Sequence, residues 1–279
     1  MTLVTRMAMI TAAVLVVASQ SAAQDSATGS DIAPFNDIGR RWDRFAFAGH
    51  HGHYVRLAYD RKRDIAAIVL LLPGWTKNRR DWQYDASKLA SFLVDNGFAV
   101  ASIEPNWRSS STPSQDRHLL AQAIGEITRQ AARRGYDSRR MVLVGAGVGG
   151  RDAAIFGTNP QWLQSEGVEF TFLRAVIILN GLRIDPSNPD YEDDPAFAET
   201  LAPPNAPRFL LHSVKTDDAR IAEANKLADA LRRAGTSVEL RSVRRSMDKS
   251  EPSMIGGENN PENDHLLRFL KDATARAAH

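Results

Sequence analysis

Met141-Val-Leu-Val-Gly-Ala-Gly-Val-Gly-Gly-Arg-Asp152 is the stretch on which the interpretation of this sequence depends. Its first four residues are apolar, as in a strand that is buried on both faces of a parallel sheet. Four glycines follow within six residues, and the residues after them can continue as a helix. The stretch therefore predicts a strand, a tight turn and a helix in immediate succession.

Two sequence patterns fit the glycine turn, which we define as residues 145–150. Gly145, Gly147 and Gly150 match G-x-G-x-x-G, in which glycines let the backbone approach a pyrophosphate at a helix N-terminus. Gly145 and Gly149 match the outer positions of G-x-S-x-G, a strand-to-helix turn that exposes a nucleophilic serine. In that second pattern Gly147 occupies the position of the serine. The stretch alone favours the first pattern, and the rest of the chain has to decide between them.

The composition is that of an ordinary globular protein. With 279 residues, of which 43% are hydrophobic, the chain can form one large or two modest domains with a full core. The formal net charge of +2 gives no reason to expect a nucleic-acid partner. There is no cysteine, so neither a disulfide framework nor a lipid-anchor cysteine is expected.

Residues 1–23 have the pattern of a secretory signal. Arg6 precedes the apolar run Met7–Val17, and small residues then lead to Ala23. Because the apolar run is too short to span a bilayer, the segment predicts export with cleavage after Ala23. Residues 24–44 form a predicted flexible leader. We expect a periplasmic or secreted protein that does not span the membrane.

A hairpin at the sheet edge is predicted over residues 45–59, because two short strand patterns flank Gly49 and Gly52. Its histidines, His50, His51 and His53, are expected to be exposed polar residues rather than metal ligands, since no carboxylate lies beside them. The strands predicted after the hairpin are 65–72, 98–103, 141–144, 174–179, 208–212 and 237–243.

Helical spacing of apolar residues predicts helices between these strands and a last helix that carries Leu266–Leu270. Alternating strands and helices are typical of one mostly parallel, doubly wound sheet with helices on both faces. We therefore predict a single α/β domain over residues 45–279. The acidic, proline-rich stretch 185–204 is too short to form a separate lid domain.

The position of the glycine turn argues against a dinucleotide site. The fingerprint strand of such a fold normally opens the domain, whereas roughly 120 residues of the mature chain and at least two predicted strands precede this one. An acidic residue is also expected about 20 residues later, at the end of a strand. Glu166 and Glu169 are near that distance, but neither ends an apolar strand.

The segments after the turn resemble the α/β-hydrolase superfamily, in which nucleophile, acid and histidine follow in that chain order, each on a loop after a strand. Leu211–Ile221 resembles the acid-bearing turn, and Glu262–Leu270 resembles the segment in which the histidine precedes the last helix. Pro73-Gly74-Trp75 resembles the segment whose backbone amide stabilises an oxyanion. The resemblance covers residues 45–279. With the glycine turn, Leu70–Trp82 resembles a bacterial branch of unknown function that has glycine in place of the serine.

The resemblance implies an α/β-hydrolase fold without a large lid domain, and it implies roles for particular residues. Asp218, with Asp217 as its rival, would be the acid, and His265 would be the histidine. The backbone amides of Trp75 and Val148 would be the two oxyanion donors, because such donors need no particular side chain. It implies no metal and no cofactor.

Glycine at position 147 removes the hydroxyl that His265 would deprotonate, so no acyl-enzyme can form. One hypothesis is a pseudo-hydrolase that binds a small ester or carboxylate ligand or a partner, its polar site residues being either retained for binding or merely left in loops. A second is a weak ester hydrolase in which His265, oriented by Asp218, activates a water molecule. A third is an ordinary enzyme into which glycine was introduced in place of serine. Dinucleotide binding stays as a further alternative.

Other hydroxyl groups could also replace the missing nucleophile. Thr76, the serines at 109–111 and Ser213 are expected on loops near the same sheet edge. Serine and threonine are common in such loops because they form turns, so none of these is preferred. Asp152 lies on the helix after the turn, too far along it to attack.

Overall fold

The computed structural model describes most of the predicted domain. The described residues are 43–47, 52–60, 66–72, 79–104, 112–182, 203, 205–214, 218–243, 255–257 and 260–275. All of them belong to one compact unit, Pro34–His279. The predicted signal segment, nearly all of the predicted leader, and the acidic stretch 185–204 apart from Pro203 lie outside the described residues.

The described strands form one sheet. In chain order they are β1 (Asp43–Ala46), β2 (Tyr54–Ala58), β3 (Ala66–Leu72), β4 (Ala99–Glu104), β5 (Tyr136–Gly147), β6 (Leu173–Leu182), β7 (Arg208–Val214) and β8 (Val238–Val243). Their order across the sheet is β1-β2-β4-β3-β5-β6-β7-β8. β2 is antiparallel to both of its neighbours, β1 and β4, and the other neighbouring pairs are parallel. The prediction of a mostly parallel sheet with a hairpin at its edge is therefore confirmed.

Helices cover both faces of this sheet. They are α1 (Arg79–Asp95), α2 (Pro113–Arg134), α3 (Val148–Thr158), the single-turn α4 (Gln161–Gln164), α5 (Asp218–Arg233) and α6 (Glu262–Ala273). One core, which includes Ile124, Phe156 and Leu227, lies under α2, α3 and α5. The other, which includes Leu93 and Phe269, lies under α1 and α6. Alternate residues of β3 enter the two cores, as expected for a strand that is buried on both faces.

The boundaries of α2 follow from local capping. Thr112 caps its N-terminus: the Thr112 side chain accepts a hydrogen bond from the Gln115 amide, and the Gln115 side chain accepts one from the Thr112 amide. At the other end Gly135 has φ 81° and ψ 30°, a left-handed conformation that glycine adopts without steric cost. The predicted end of this helix at Gly135 is confirmed.

β5 is longer than the strand predicted at 141–144. It begins at Tyr136, and its pairing with β3 shifts register between Ala67 and Ile68, so the polar residues 137–140 form an irregular start to the strand. A bulge of this kind leaves residues out of the regular ladder. Because those residues are polar, no apolar pattern marks the beginning of the strand.

His53 corrects the expectation of an exposed hairpin. Only 9% of the residue is exposed, and the centre of its ring lies 5.5 Å from the ring centre of Phe47. The aromatic contact explains its burial, since an imidazole presents an apolar face as well as polar atoms. His50 and His51 lie outside the described residues.

Candidate functional site

The glycine turn joins β5 directly to α3. β5 ends at Gly147 and α3 begins at Val148, with no residue between them. A Cβ placed on Gly145 would lie 2.0 Å from the backbone oxygen of Gly149 and 2.6 Å from the backbone nitrogen of Gly150. Glycine is therefore required at position 145, because the first turn of α3 packs against the strand backbone. This is the sharp strand-to-helix turn that the G-x-S-x-G pattern describes.

The turn lies at the carboxyl edge of the sheet, the edge at which open α/β folds bind their ligands. The first amide groups of α3 have no acceptor within the helix, and the positive end of the helix dipole is at the same place. No acidic residue stands in the first turn of α3. The electrostatics of this helix start therefore favour an anionic group.

His265 lies within α6 and not before it, which corrects the expectation from the sequence. It is the fourth residue of that helix, and its Nε2 lies 2.8 Å from Oε1 of Glu239 in β8, a contact without hydrogen-bond geometry. β6 and β7 separate β8 from β5. At the usual strand spacing this separation is about 14 Å. The described carboxylate beside the imidazole thus comes from an edge strand and not from the turn after β7.

The other predicted site residues are described in part or not at all. Asp218 is the first residue of α5, the helix that follows β7, but its side chain lies outside what the structure describes. For Val148 only the backbone, at the start of α3, is described. Trp75 and Asp217 lie outside the described residues altogether. The predicted contact between Asp218 and His265 therefore stays a prediction.

Ser213 is not on a loop, which is a further correction. It lies in β7 with 1% of its surface exposed, and its Oγ is 3.3 Å from Oγ of Ser242 in β8. The buried hydroxyl is thus paired with its neighbour across the strands. Thr76 and the serines at 109–111 lie outside the described residues.

Two side-chain contacts join β8 to α6. The guanidinium of Arg241 donates to both carboxylate oxygens of Glu262, through Nε to Oε2 and through Nη2 to Oε1 at 3.1 Å. This is the two-point geometry that makes arginine–carboxylate pairs specific. The second contact joins Glu239, two positions before Arg241 in the strand, to His265, three positions after Glu262 in the helix. We call these four residues the β8–α6 ladder.

His212 lies beside this ladder in β7. Only 3% of it is exposed, and neither ring nitrogen has a hydrogen-bond partner in the described part of the chain. Its Nε2 is 3.8 Å from Oε2 of Glu262. Burial lowers the pKa of His212 below its ordinary value; the Glu262 carboxylate opposes this effect, and Arg241 and His265 add to it. The imidazole is therefore neutral in the folded protein at neutral pH.

Replacement of this histidine should reduce the acid sensitivity of the fold. Because the pKa of His212 is lower in the folded protein than its ordinary value of 6.5, the unfolded chain takes up the proton first, and the free energy of unfolding falls as the pH drops through 6.5. The variant His212→Gln cannot take up this proton. The difference between its urea midpoints at about pH 7.5 and about pH 5.5 should therefore be smaller than in the wild type. An equal difference in both proteins would contradict the assignment.

A group of four charged side chains is buried near the glycine turn. Between 2% and 5% of each residue is exposed, and the members are Asp116 and Arg117 of α2 and Arg151 and Asp152 of α3. Nε of Arg117 lies 3.4 Å from Oδ1 of Asp152. Burial raises the pKa of Asp152 to about 7; Arg117 and Arg151 oppose this shift, and Asp116 adds to it. We call these four residues the buried charge cluster.

The sequence carries a weak signal for this cluster. Asp116 and Arg117 stand four and three positions before Leu120, so they continue the apolar stripe of α2. Asp152 directly precedes Ala153–Phe156, a fully buried segment of α3. Charged residues in such positions are almost never fully buried unless they are paired. Their spacing alone does not reveal that the two helices bring their pairs together.

A further buried ion pair lies at the carboxyl end of β4. Nε of Arg56 is 2.6 Å from Oε1 of Glu104, and the side chains are 8% and 18% exposed. Burial raises the pKa of Glu104, and the charge of Arg56 opposes that shift. Glu104 ends its strand at the same sheet edge as the glycine turn, with only β3 between β4 and β5.

In the described part of the chain, no group of three or more His, Asp or Glu side chains is arranged to hold a metal ion. None of the helices described there is long and apolar enough to cross a membrane.

The fold is that of the α/β hydrolases. A Lactobacillus plantarum protein assigned as a carboxylesterase matches with a TM-score of 0.67 and 15% identity, over 84% of this chain and 99% of that one. An α/β hydrolase from a deep-sea metagenome library matches with a TM-score of 0.63 and 12% identity, over 85% and 99%. A thermostable Pseudomonas putida esterase matches with a TM-score of 0.62 and 14% identity, over 86% and 85%.

No protein-family model and no curated protein matches the sequence. At the identities above, the likeness to solved structures concerns the fold alone. The fold also argues against the dinucleotide-binding alternative, because a dinucleotide domain normally opens with its fingerprint strand and here the glycine turn follows the fifth strand.

Proposed function

We propose that this protein is an exported α/β-hydrolase-fold protein that binds a small ester- or carboxylate-bearing ligand, or a partner that presents such a group, without forming an acyl-enzyme. The observation that carries the proposal is the direct junction of β5 and α3, with Gly147 at the position where the G-x-S-x-G pattern has serine. Esterases are among the proteins that share the fold, which supports the choice of ligand class.

The chemistry follows from what a glycine leaves in place. Without Oγ, position 147 has no atom to attack a carbonyl carbon, so the usual covalent catalysis at this turn ends. The backbone amides at the start of α3, with that of Val148 among them, remain able to donate to a carboxylate or carbonyl oxygen, because they do not depend on side chains. In our proposal the Trp75 amide completes this donor pair. A binding function therefore needs only backbone amides, which remain when glycine stands at position 147.

The competing function is weak hydrolysis by a water molecule that His265 activates and Asp218 orients. The contact of His265 with Glu239 weighs against it, because this imidazole already faces a carboxylate of the edge strand. We also propose that the protein belongs to a bacterial branch of the superfamily that has glycine in place of the serine.

Export is tested by N-terminal sequencing: the first residue of the protein recovered outside the cytoplasm should be Gln24.

The wild-type protein should show no burst of p-nitrophenol with p-nitrophenyl butyrate and should not be labelled by a fluorophosphonate probe, because it has no nucleophilic hydroxyl at the turn. The matched variant is Gly147→Ser, which restores the side chain at that one position. Stoichiometric labelling of the wild type would contradict the proposal. Steady turnover by the wild type that is lost in His265→Ala would favour the water mechanism instead.

Binding is measured separately, with butyrate as the probe. Addition of butyrate should shift the backbone amide resonances of residues 148–150 in NMR spectra, whereas an equal concentration of chloride should not, because the proposed site recognises a carboxylate and not negative charge in general. If neither anion shifts these resonances, the ligand class is wrong even if the protein proves to be inactive as an esterase.

A further inference from the structure

The buried charge cluster ties the beginnings of two helices together behind the glycine turn. Arg117 lies in the first turns of α2, and Asp152 is the fifth residue of α3. Both helices begin at the carboxyl edge of the sheet, because each follows a parallel strand. The pair therefore fixes the start of α3, whose first amides belong to the proposed ligand site, relative to a neighbouring helix.

Apolar packing does not require this arrangement. Where α3 faces the sheet, it packs through apolar side chains such as Phe156. Buried ion pairs are often no more stabilising than apolar residues of similar volume, because both charges have to be removed from water. The pair instead imposes a defined distance and orientation, with Nε of Arg117 at 3.4 Å from Oδ1 of Asp152. It is therefore suited to holding a helix in one position.

The electrostatic contacts of Asp152 depend on whether its carboxyl group is protonated. Arg117 and Asp116 act on it from α2, and Arg151 acts on it from α3. From α4, Trp162 contacts one member of the cluster and one neighbouring residue: its ring centre is 5.9 Å from Cζ of Arg117 and 4.9 Å from the ring centre of His118. Loss of the negative charge on Asp152 would leave Arg117 without that partner, so the contact between the helices depends on the carboxyl proton.

We propose that Asp152 is a positioning residue for the glycine turn: through Arg117 it sets the first turn of α3, and it makes the backbone amides at that turn respond to pH. Asp152 does not touch the ligand, because it is buried and lies beyond the first turn of the helix. The inference deepens the proposed function, since it concerns the regulation of the same amides. It also predicts weaker binding of an anion when Asp152 is ionised, because the added negative charge lies one turn from the site.

The test follows the amide resonances of residues 148–150 by NMR between pH 5 and 9, without ligand. In the wild type they should shift with a midpoint near the pKa of Asp152, about 7. In Asp152→Asn the shift with pH should disappear. It should persist in His118→Gln, which removes the imidazole in contact with Trp162, and in Asp229→Asn, which removes an exposed carboxylate of α5.

Two results would overturn the inference: amides of the wild type that do not respond to pH, or a response that is unchanged in Asp152→Asn. A merely structural role would lower the stability of Asp152→Asn without abolishing this response. If Asp152→Asn does not fold, the amide shifts of the wild type are compared with those of His118→Gln. A pH response that is lost in His118→Gln would contradict the assignment to Asp152. Butyrate affinity in the wild type should fall several-fold between pH 6 and 8. Absence of any butyrate binding would contradict the proposed function but leave the amide titration as a test of Asp152.

Discussion

Gly145→Ala should destabilise the fold by about 3 kcal/mol or more, or prevent soluble expression. The added methyl would lie 2.0 Å from a backbone oxygen and 2.3 Å from a backbone carbon of Gly149. Those atoms belong to the first turn of α3, so no side chain can rotate away to make room, and the helix has to move from the strand. The measurement is the free energy of unfolding in urea, compared with that of the wild type.

Gly167→Ala is the matched control. Gly167 has φ +73°, and a Cβ there would meet no atom within 4 Å, so this variant carries only the strain of a left-handed backbone. Its cost should be about 1 kcal/mol. Equal losses in the two variants would show that crowding at the glycine turn is not the reason for glycine at 145.

Arg117→Met should lower the free energy of unfolding by roughly 3–5 kcal/mol at pH 8, because it leaves the Asp152 carboxylate buried without its cation. The pKa of Asp152 is about 7 in the folded protein, against an ordinary value of 3.8, so the folded state binds the proton more tightly than the unfolded state does. Stability therefore rises as the pH falls from 7 towards 3.8, and the penalty for ionised Asp152 is fully present above pH 7. At about pH 5 Asp152 is protonated, and the loss caused by the variant should be much smaller.

Urea unfolding at these two pH values measures the effect. Arg129→Met removes an exposed partner of Glu126 from the same helix and should cost less than about 0.5 kcal/mol at either pH. The double variant Arg117→Met with Asp152→Leu removes both charges and should recover part of the loss. A loss in Arg117→Met that is the same at both pH values would contradict the assigned state of Asp152.

Much of the fold was predictable because its strands and helices carry strong local patterns. The run 65–72 is apolar throughout, and Gly135 ends α2, so an element and a boundary could be assigned without tertiary information. The polar start of β5 could not be assigned, because a bulge replaces apolar alternation there. The single-turn α4 is too short to show helical periodicity.

The candidate site was predictable only where a single segment forms it. The glycine turn is such a segment, and its strand-to-helix geometry follows from the spacing of its glycines. The partner of His265 could not be predicted, because Glu239 approaches it from another element, 26 positions earlier. The same holds for Arg117 and Asp152, which are 35 residues apart. Contacts of this kind depend on how helices pack, which no local pattern encodes.

The β8–α6 ladder also bears on the resistance of the sheet edge to aggregation. β8 is the last strand of the sheet, and in Val238–Val243 the only ionisable side chains are Glu239 and Arg241, the two that the ladder engages. Strands rich in β-branched residues and without charges can add neighbouring chains and seed fibrils. The same carboxylate and guanidinium that contact α6 therefore also place charges on β8, the last of the described strands, and such charges disfavour the addition of another strand.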